Sequence, residues 1–363
     1  MTVAFLLQDF SAGGIGQWIY TICRELHRTD PGRFSFHFVC THGWEIRRRF
    51  HDIGTPVFIG SKGRPPNWLV WWRVVRYLKR LSPDIVQFSN LREYRDVCRR
   101  VGPPLVIERK AGLRTLNRYD LRGVDAVVCQ NRQVLDLLEF PDDRKFLIYH
   151  GVDLGELRRV TPDRLGFDAG DIIIGQVSRI GRGQNHRLLI DAVIRLRERH
   201  PRVKLVLVGG TTPQSGAVDL LPELRERARP LGTHAILTGH MDAPDPVVAG
   251  FDIATSTSTR EFTEGAPRKL IEPMAFGIPC VTTDSGATRE AVQDGVEGFV
   301  VEDDNLEQFT ERLERLVADE ALRAAMGRAA RAKVERLFDI RKQAHEMKDI
   351  WLSLLDTKAR RAG

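Results

Sequence analysis

Short apolar runs recur along the first half of the chain, at Val3 to Leu7, Phe34 to Cys40, Pro56 to Ile59, Asp84 to Phe88, Leu105 to Ile107, Ala126 to Cys129 and Phe146 to Tyr149. Longer mixed stretches separate them. Strands spaced by helical stretches make βαβ units and a parallel sheet. Two of the helices are explicit: Gln17 to Arg28, and Trp68 to Leu81, which stops at Ser82-Pro83 because the residue before proline is pushed out of the helical region. The rhythm breaks at His150-Gly151-Val152-Asp153, and a polar stretch rich in Arg, Asp and Gly runs to Gly170, the expected interdomain linker.

The plan then repeats. Strands are expected at Ile172 to Val177, Leu205 to Val208, Ala235 to Thr238, Ile253 to Thr255 and Cys280 to Thr282, with helices at about His186 to Arg199, Leu220 to Arg229 and Lys269 to Phe276 and two more at the end. The pattern predicts an α/β protein of two doubly wound, Rossmann-like domains facing each other across a cleft. Ligands of such sheets bind at the carboxyl ends of the strands, where helix N-termini favour anions.

Length agrees with this division, since 363 residues exceed one ordinary α/β domain and suit two. With 42% hydrophobic and 28% charged residues and no Ser, Gln or Pro tract, the whole chain reads as globular. The apolar run at Val3 to Leu7 is too short for a signal peptide, and no stretch approaches the roughly 20 apolar residues that cross a bilayer. The five cysteines have neither metal-ligand nor disulfide spacing. A cytoplasmic protein is expected, one that can lie against the inner face of the cell membrane. The net charge of +7 suits a phosphorylated substrate, an anionic membrane or nucleic acid, and no nucleic-acid motif accompanies it.

The densest chemistry lies in Glu264-Gly265-Ala266-Pro267-Arg268-Lys269-Leu270-Ile271-Glu272, followed by Pro273-Met274-Ala275-Phe276-Gly277-Ile278-Pro279. It holds two carboxylates eight positions apart. The glycine lets the backbone pass close to a ligand, the helix start offers N–H groups to a phosphate, and Glu272 is expected about two turns along that helix. Pro273 would make this helix start late or kink. Further on come Asp294-Gly295-Val296-Glu297-Gly298-Phe299, and upstream lie Val177-Ser178-Arg179-Ile180 and Thr238-Gly239-His240-Met241-Asp242. In the first half, Gly13-Gly14-Ile15-Gly16 follows the first strand and precedes a helix.

Taken together, these segments resemble the retaining glycosyltransferases of family 4, the group 1 glycosyltransferases of GT-B fold. The resemblance covers most of residues 172 to 300, with several motifs in order. It implies transfer of a sugar from a nucleotide-diphosphate sugar of UDP or GDP type to an acceptor hydroxyl. The acceptor would be a glycan, a glycolipid or a small molecule, and cell-surface polysaccharide or glycolipid biosynthesis is the leading expectation. By the resemblance Glu264 and Arg179 are catalytic. Gly14, Gly16, Gln184, Gly239, His240, Met241, Gly265, Ala266, Pro267, Arg268, Lys269 and Glu272 bind the donor, Glu264 holding its sugar hydroxyls and Glu272 its ribose. By the resemblance, an acceptor-side domain of 1–152 and a nucleotide-sugar-binding domain of 153–340 are expected, with a closing helix over about 341–363 that crosses back onto the first. Attack is expected from the front face, without a protein nucleophile, cofactor or metal. A nucleotide-sugar epimerase or a phosphorylase of the same fold is the rival reading, and glycosylation of a secondary metabolite a further one.

Three departures from the family pattern matter. Gln184 stands where a lysine is usual five residues after Arg179, which leaves Arg182 or Lys269 to supply the charge. The strand end Ile107-Glu108-Arg109-Lys110-Ala111-Gly112 lacks the usual histidine, so Glu108, Arg109 and Lys110 are expected to line the reaction centre and read a different sugar or a charged acceptor. Pro83-Asp84-Ile85-Val86-Gln87 ends in Gln instead of His. The aromatic and basic helix from Trp68 to Arg80 has the composition of one that lies on an anionic membrane.

Overall fold

The computed structural model describes every residue except 8–13, 42–46, 61–67, 90–91, 104, 111, 113–120, 182, 212–218, 261–267 and 363. The chain divides into two compact units, one of Met1–Gly151 with Asp339–Gly363 and one of Val152–Phe338.

In the first unit β1 (Thr2–Leu7), β2 (Ser35–Cys40), β3 (Thr55–Phe58), β4 (Ile85–Ser89), β5 (Leu105–Lys110), β6 (Ala126–Cys129) and β7 (Lys145–Leu147) form one sheet in the order β3-β2-β1-β4-β5-β6-β7. Every pairing is parallel. The crossovers carry α1 (Gly14–Thr29), α2 (Arg47–Phe50), α3 (Trp68–Leu81), α4 (Arg92–Val101) and α5 (Arg132–Leu137). Alternate residues of each strand serve opposite faces of the sheet. Phe5, Phe36, Phe38 and Ile107 meet Trp18, Ile19, Ile22 and Leu26 of α1 on one face. Ala4, Leu6, Val86 and Phe88 meet Val74 and Leu78 of α3 and Tyr94 and Val97 of α4 on the other. Helix α1 includes Gly14 to Gly16, ahead of the expected start at Gln17.

The second unit opens with α6 (Leu154–Leu157), and its sheet contains β8 (Ile172–Val177), β9 (Val203–Val208), β10 (Ala235–Gly239), β11 (Ile253–Ser256), β12 (Cys280–Thr283) and β13 (Gly298–Val301). The order is β10-β9-β8-β11-β12-β13, again parallel throughout. Around it lie α7 (His186–Arg197), α8 (Leu221–Arg227), α9 (Asp245–Ala249), α10 (Arg268–Ala275), α11 (Thr288–Ala291), α12 (Leu306–Ala318) and α13 (Glu320–Leu337). The chain then returns to the first unit as α14 (Ile340–Ala362), whose Ile340, Ala344, Met347 and Trp351 complete the core beside α1.

The stretch expected to be a linker is part of the second unit. Asp153 caps α6, accepting from Gly155 N at 2.9 Å and Glu156 N at 3.1 Å. Asp163 N donates to Pro246 O at 2.8 Å, and the Arg164 guanidinium bonds Gly250 O, Asp171 O and Asp252. Its polar composition reflects this surface docking, where side chains satisfy backbone groups that a short strand edge leaves open.

Candidate active site

In the second sheet the strand order reverses between β8 and β11, so the crevice at their carboxyl ends is the place where a doubly wound sheet holds a ligand. Beyond β8 the chain stays bound to its neighbour, Ser178 N donating to Val208 O at 3.0 Å and Ile180 N to Gly210 O at 3.1 Å. Ile180 is buried and Arg179 is exposed between these two anchors. Gly209 allows the approach: its φ is +144°, and a Cβ there would lie 1.8 Å from Ser178 O.

Three side chains converge at this edge. The Lys269 ammonium, from α10, donates to Gln184 Oε1 at 2.6 Å and also to Ser258 Oγ. Ser258 Oγ donates to the same Gln184 oxygen at 3.2 Å, and the backbones of Gln184 and Ser258 form an antiparallel bridge. The charge that position 184 lacks is therefore delivered to it from α10. The other candidate for that charge, Arg182, lies outside the described residues.

Beneath this group a buried polar chain holds the loop. Thr255 and Thr257 hydroxyls donate to Gln176 Oε1, Gln176 Nε2 donates to Ser178 Oγ at 3.2 Å, and Ser178 Oγ meets His186 Nε2 at 2.8 Å. Burial, with Lys269 adding repulsion, holds the His186 imidazole down to about 4, so it is neutral near pH 7. A neutral ring bonded to Ser178 through Nε2 ties the chain after β8 to the start of α7.

Glu272 follows Arg268 by one turn of α10. The two form an ion pair, and Arg268 donates to Glu272 Oε1. Burial pushes the Glu272 carboxyl above the usual carboxylate range, while Arg268 pulls it the other way. Asp245 at the start of α9 is raised likewise by burial and lowered by Arg268. Pro273 lies inside the helix, which ends two residues later at Ala275. A proline has no N–H to continue the helical ladder, and Gly277, at φ +78°, turns the chain out of the helix.

Gly239 ends β10 at φ +74°. His240 after it is exposed, with Nε2 3.3 Å from Asp242 Oδ1, and Met241 is half-buried. Among the described residues, no hydrogen bond or ion pair joins Arg179 or His240 to Gln184, Lys269, Arg268 or Glu272. Glu264, Gly265, Ala266 and Pro267 lie outside the described residues. No group of three His, Cys, Asp or Glu side chains that could hold a metal ion occurs among the described residues.

In the first unit, Glu108, Arg109 and Lys110 are all buried at the end of β5. They do not act as one cluster. Glu108 forms ion pairs with Lys110 at 3.0 Å and with Arg95 of α4 at 3.6 Å. Arg109 lies on the α1 side, its guanidinium 5.3 Å from the centre of the Trp18 ring and bonded to Gln130 Oε1. Gln87, expected to shape the fold rather than the chemistry, accepts from Trp351 Nε1 at 3.2 Å.

Sequence reasoning missed Ser258, Thr255 and Thr257. Their signal was the run Thr255-Ser256-Thr257-Ser258-Thr259, five consecutive hydroxyl residues leaving the middle of a buried parallel sheet.

Two Rossmann-like units of this topology define a GT-B protein, and solved structures of that fold superpose along nearly the whole chain. The crystal structure of Anabaena HepE in complex with UDP and glucose matches with a TM-score of 0.81 at 18% identity, covering 97% of this chain and 100% of that one. The chain belongs to the group 1 glycosyltransferases, family 4: the Glycosyltransferase Family 4 profile matches residues 12–156 and the Glycosyl transferases group 1 profile residues 158–333. Its relatives include EpsD of Bacillus subtilis, 25% identical over 213 residues that make up 57% of this chain and 54% of that one. The lipopolysaccharide core biosynthesis mannosyltransferase LpsB of Rhizobium meliloti is 25% identical over 249 residues, 66% of this chain and 68% of that one. The match to EpsD thus spans about half the length of that relative.

Proposed function

We propose that the chain is a retaining glycosyltransferase that moves a sugar from a nucleoside-diphosphate sugar to an acceptor hydroxyl during assembly of a surface polysaccharide or glycolipid. The observation that carries this reading is the ammonium of Lys269 set against Gln184 at the switch point of the second sheet, with Arg179 exposed two residues beyond the end of β8. Two cations at such an edge suit a diphosphate, whose charge grows as it departs. Arg179 and Lys269 neutralise it, Glu272 takes the ribose hydroxyls through the carboxylate oxygen that Arg268 leaves open, and Glu264 takes hydroxyls of the transferred sugar. The acceptor hydroxyl attacks from the face the leaving group vacates and gives its proton to the departing diphosphate. Binding and positioning supply the rate, and no metal takes part. HepE, crystallised with UDP and glucose, favours a uracil nucleotide as the first donor to test. LpsB, by its name a lipopolysaccharide core enzyme, favours a surface-glycan acceptor.

A thermal-shift series with UDP, GDP and their common sugars, run in EDTA, tests the donor site. A ligand held a hundredfold above its dissociation constant stabilises the fold by about 2.7 kcal/mol. A clear rise in melting temperature with one nucleotide family is expected. No rise with any of them would remove the reading.

We also propose that α3 rests on an anionic membrane when the acceptor is lipid-linked. Trp68, Leu69 and Trp72 are exposed on it, and so are Arg73, Arg76, Lys79 and Arg80.

A further inference from the structure

Arg109 is 3% exposed, yet no carboxylate pairs with it among the described residues. Its Nη2 donates to Gln130 Oε1, and its Nε and Nη1 are buried without a hydrogen-bond partner. Gln130, 1% exposed, leaves Nε2 unpartnered as well. A guanidinium never sheds its proton at ordinary pH and presents N–H groups in a fixed fork that matches a carboxylate or phosphate. Buried charge of this kind is normally balanced by a partner. The adjacent Glu108 does not balance it, because strand alternation turns that carboxylate to the opposite face, where Lys110 and Arg95 occupy it. The Trp18 ring holds the guanidinium from one side, 5.3 Å from its centre. Both residues stand where a doubly wound sheet receives ligands: Arg109 is next to last in β5, and Gln130 directly follows β6.

We infer that Arg109 and Gln130 form a seat in the first unit for an anionic group, a phosphate or a carboxylate, carried by the ligand of that unit. Given the transferase reading above, that ligand is the acceptor, which makes the acceptor an anionic glycan or a phosphorylated glycolipid rather than a neutral sugar. The fork supplies Nε and Nη1 to two oxygens, and Gln130 Nε2 supplies a third donor.

The test uses the full chain saturated with UDP, so that the donor site is filled, and follows melting temperature against inorganic phosphate and, separately, acetate. Wild type is expected to rise with one or both anions, and the stronger one names the charged group. Arg109→Gln, which removes an unbalanced buried charge, is expected to melt no lower than wild type without anion and to lose the anion-dependent rise. Arg109→Lys, keeping the charge without the fork, should retain part of it. Should Arg109→Gln fail to fold, Gln130→Ala replaces it, with a weakened anion response expected. An unchanged response in these variants, or no response to either anion in wild type, overturns the seat. A response to phosphate without any to UDP would leave the seat standing and sink the transferase reading instead.

Discussion

Lys269 and Gln184 are 85 positions apart and meet at 2.6 Å. The Gln184 amide oxygen and the Ser258 hydroxyl that the ammonium meets are both neutral groups. In the transferase reading the ammonium meets the donor's diphosphate, and Gln184 and Ser258 help to fix where it stands. In a family that places a lysine at position 184, this chain supplies the cation from the neighbouring helix. Removing one preorganised donor to a developing oxyanion costs about 10²- to 10³-fold in turnover, and Lys269→Ala is expected to fall in that range. The informative variant is the exchange Gln184→Lys with Lys269→Val, which returns the cation by the other route. Steady-state kinetics with the donor found by thermal shift should show most of the lost kcat recovered in the exchange. If the exchange is as slow as Lys269→Ala while both proteins melt like wild type, the ammonium has another task.

At the scale of elements, most of the fold was legible because the buried parallel strands are dominated by short apolar runs, Val3 to Leu7 in β1 and Ile172 to Ile174 in β8 among them, and the helices between them repeat apolar positions. Helix α4 escaped notice although Tyr94, Val97, Cys98 and Val101 recur at helical spacing, because arginines and acidic residues crowd its exposed side. The site was legible as a segment and not as a geometry. Nothing in the order of residues brings Lys269 to Gln184, which depends on how α10 packs against the end of β11. Glu108, Arg109 and Lys110 looked like one charged cluster, yet the twofold period of a strand already separates the middle residue from its neighbours. Helix α3 shows the same logic on its outer side. Val70, Val74 and Leu78 face the sheet, which leaves Trp68, Leu69 and Trp72 at one end and Arg73, Arg76, Lys79 and Arg80 at the other on the exposed face. The helix contains no acidic residue to offset them. Each cation near an anionic lipid surface contributes about 1 kcal/mol, so Arg73→Gln, Arg76→Gln and Arg80→Gln together should weaken binding to phosphatidylglycerol-containing vesicles by about two orders of magnitude. Wild-type binding should fade with salt. Equal sedimentation with purely zwitterionic vesicles would mean that the basic face plays no part.

At the scale of the whole molecule, the chain leaves its first unit at Gly151 and re-enters it at Asp339, so that unit is discontinuous while the second is not. The returning helix α14 fills the first core instead of decorating it. Trp351 is fully buried, its ring centre 6.2 Å from that of Phe5 and 6.0 Å from that of Phe34, and its Nε1 bonds Gln87 in the middle of the sheet. Ion pairs of Lys348 with Asp30 and of Lys358 with Asp125 run along the same helix, but they are partly exposed and contribute little beside the buried ring. Trp351→Ala is expected to cost about 3–5 kcal/mol, a large part of the roughly 5–15 kcal/mol that holds a domain together. The loss should be local. Residues 152–338 have their own sheet and core, none of which includes α14. Limited proteolysis of Trp351→Ala should therefore cut the first unit while a fragment near 152–338 persists and still responds to the nucleotide. If the nucleotide response and protease resistance of both units vanish together at the same temperature, the two units fold as one cooperative block and α14 stabilises more than the domain it packs into.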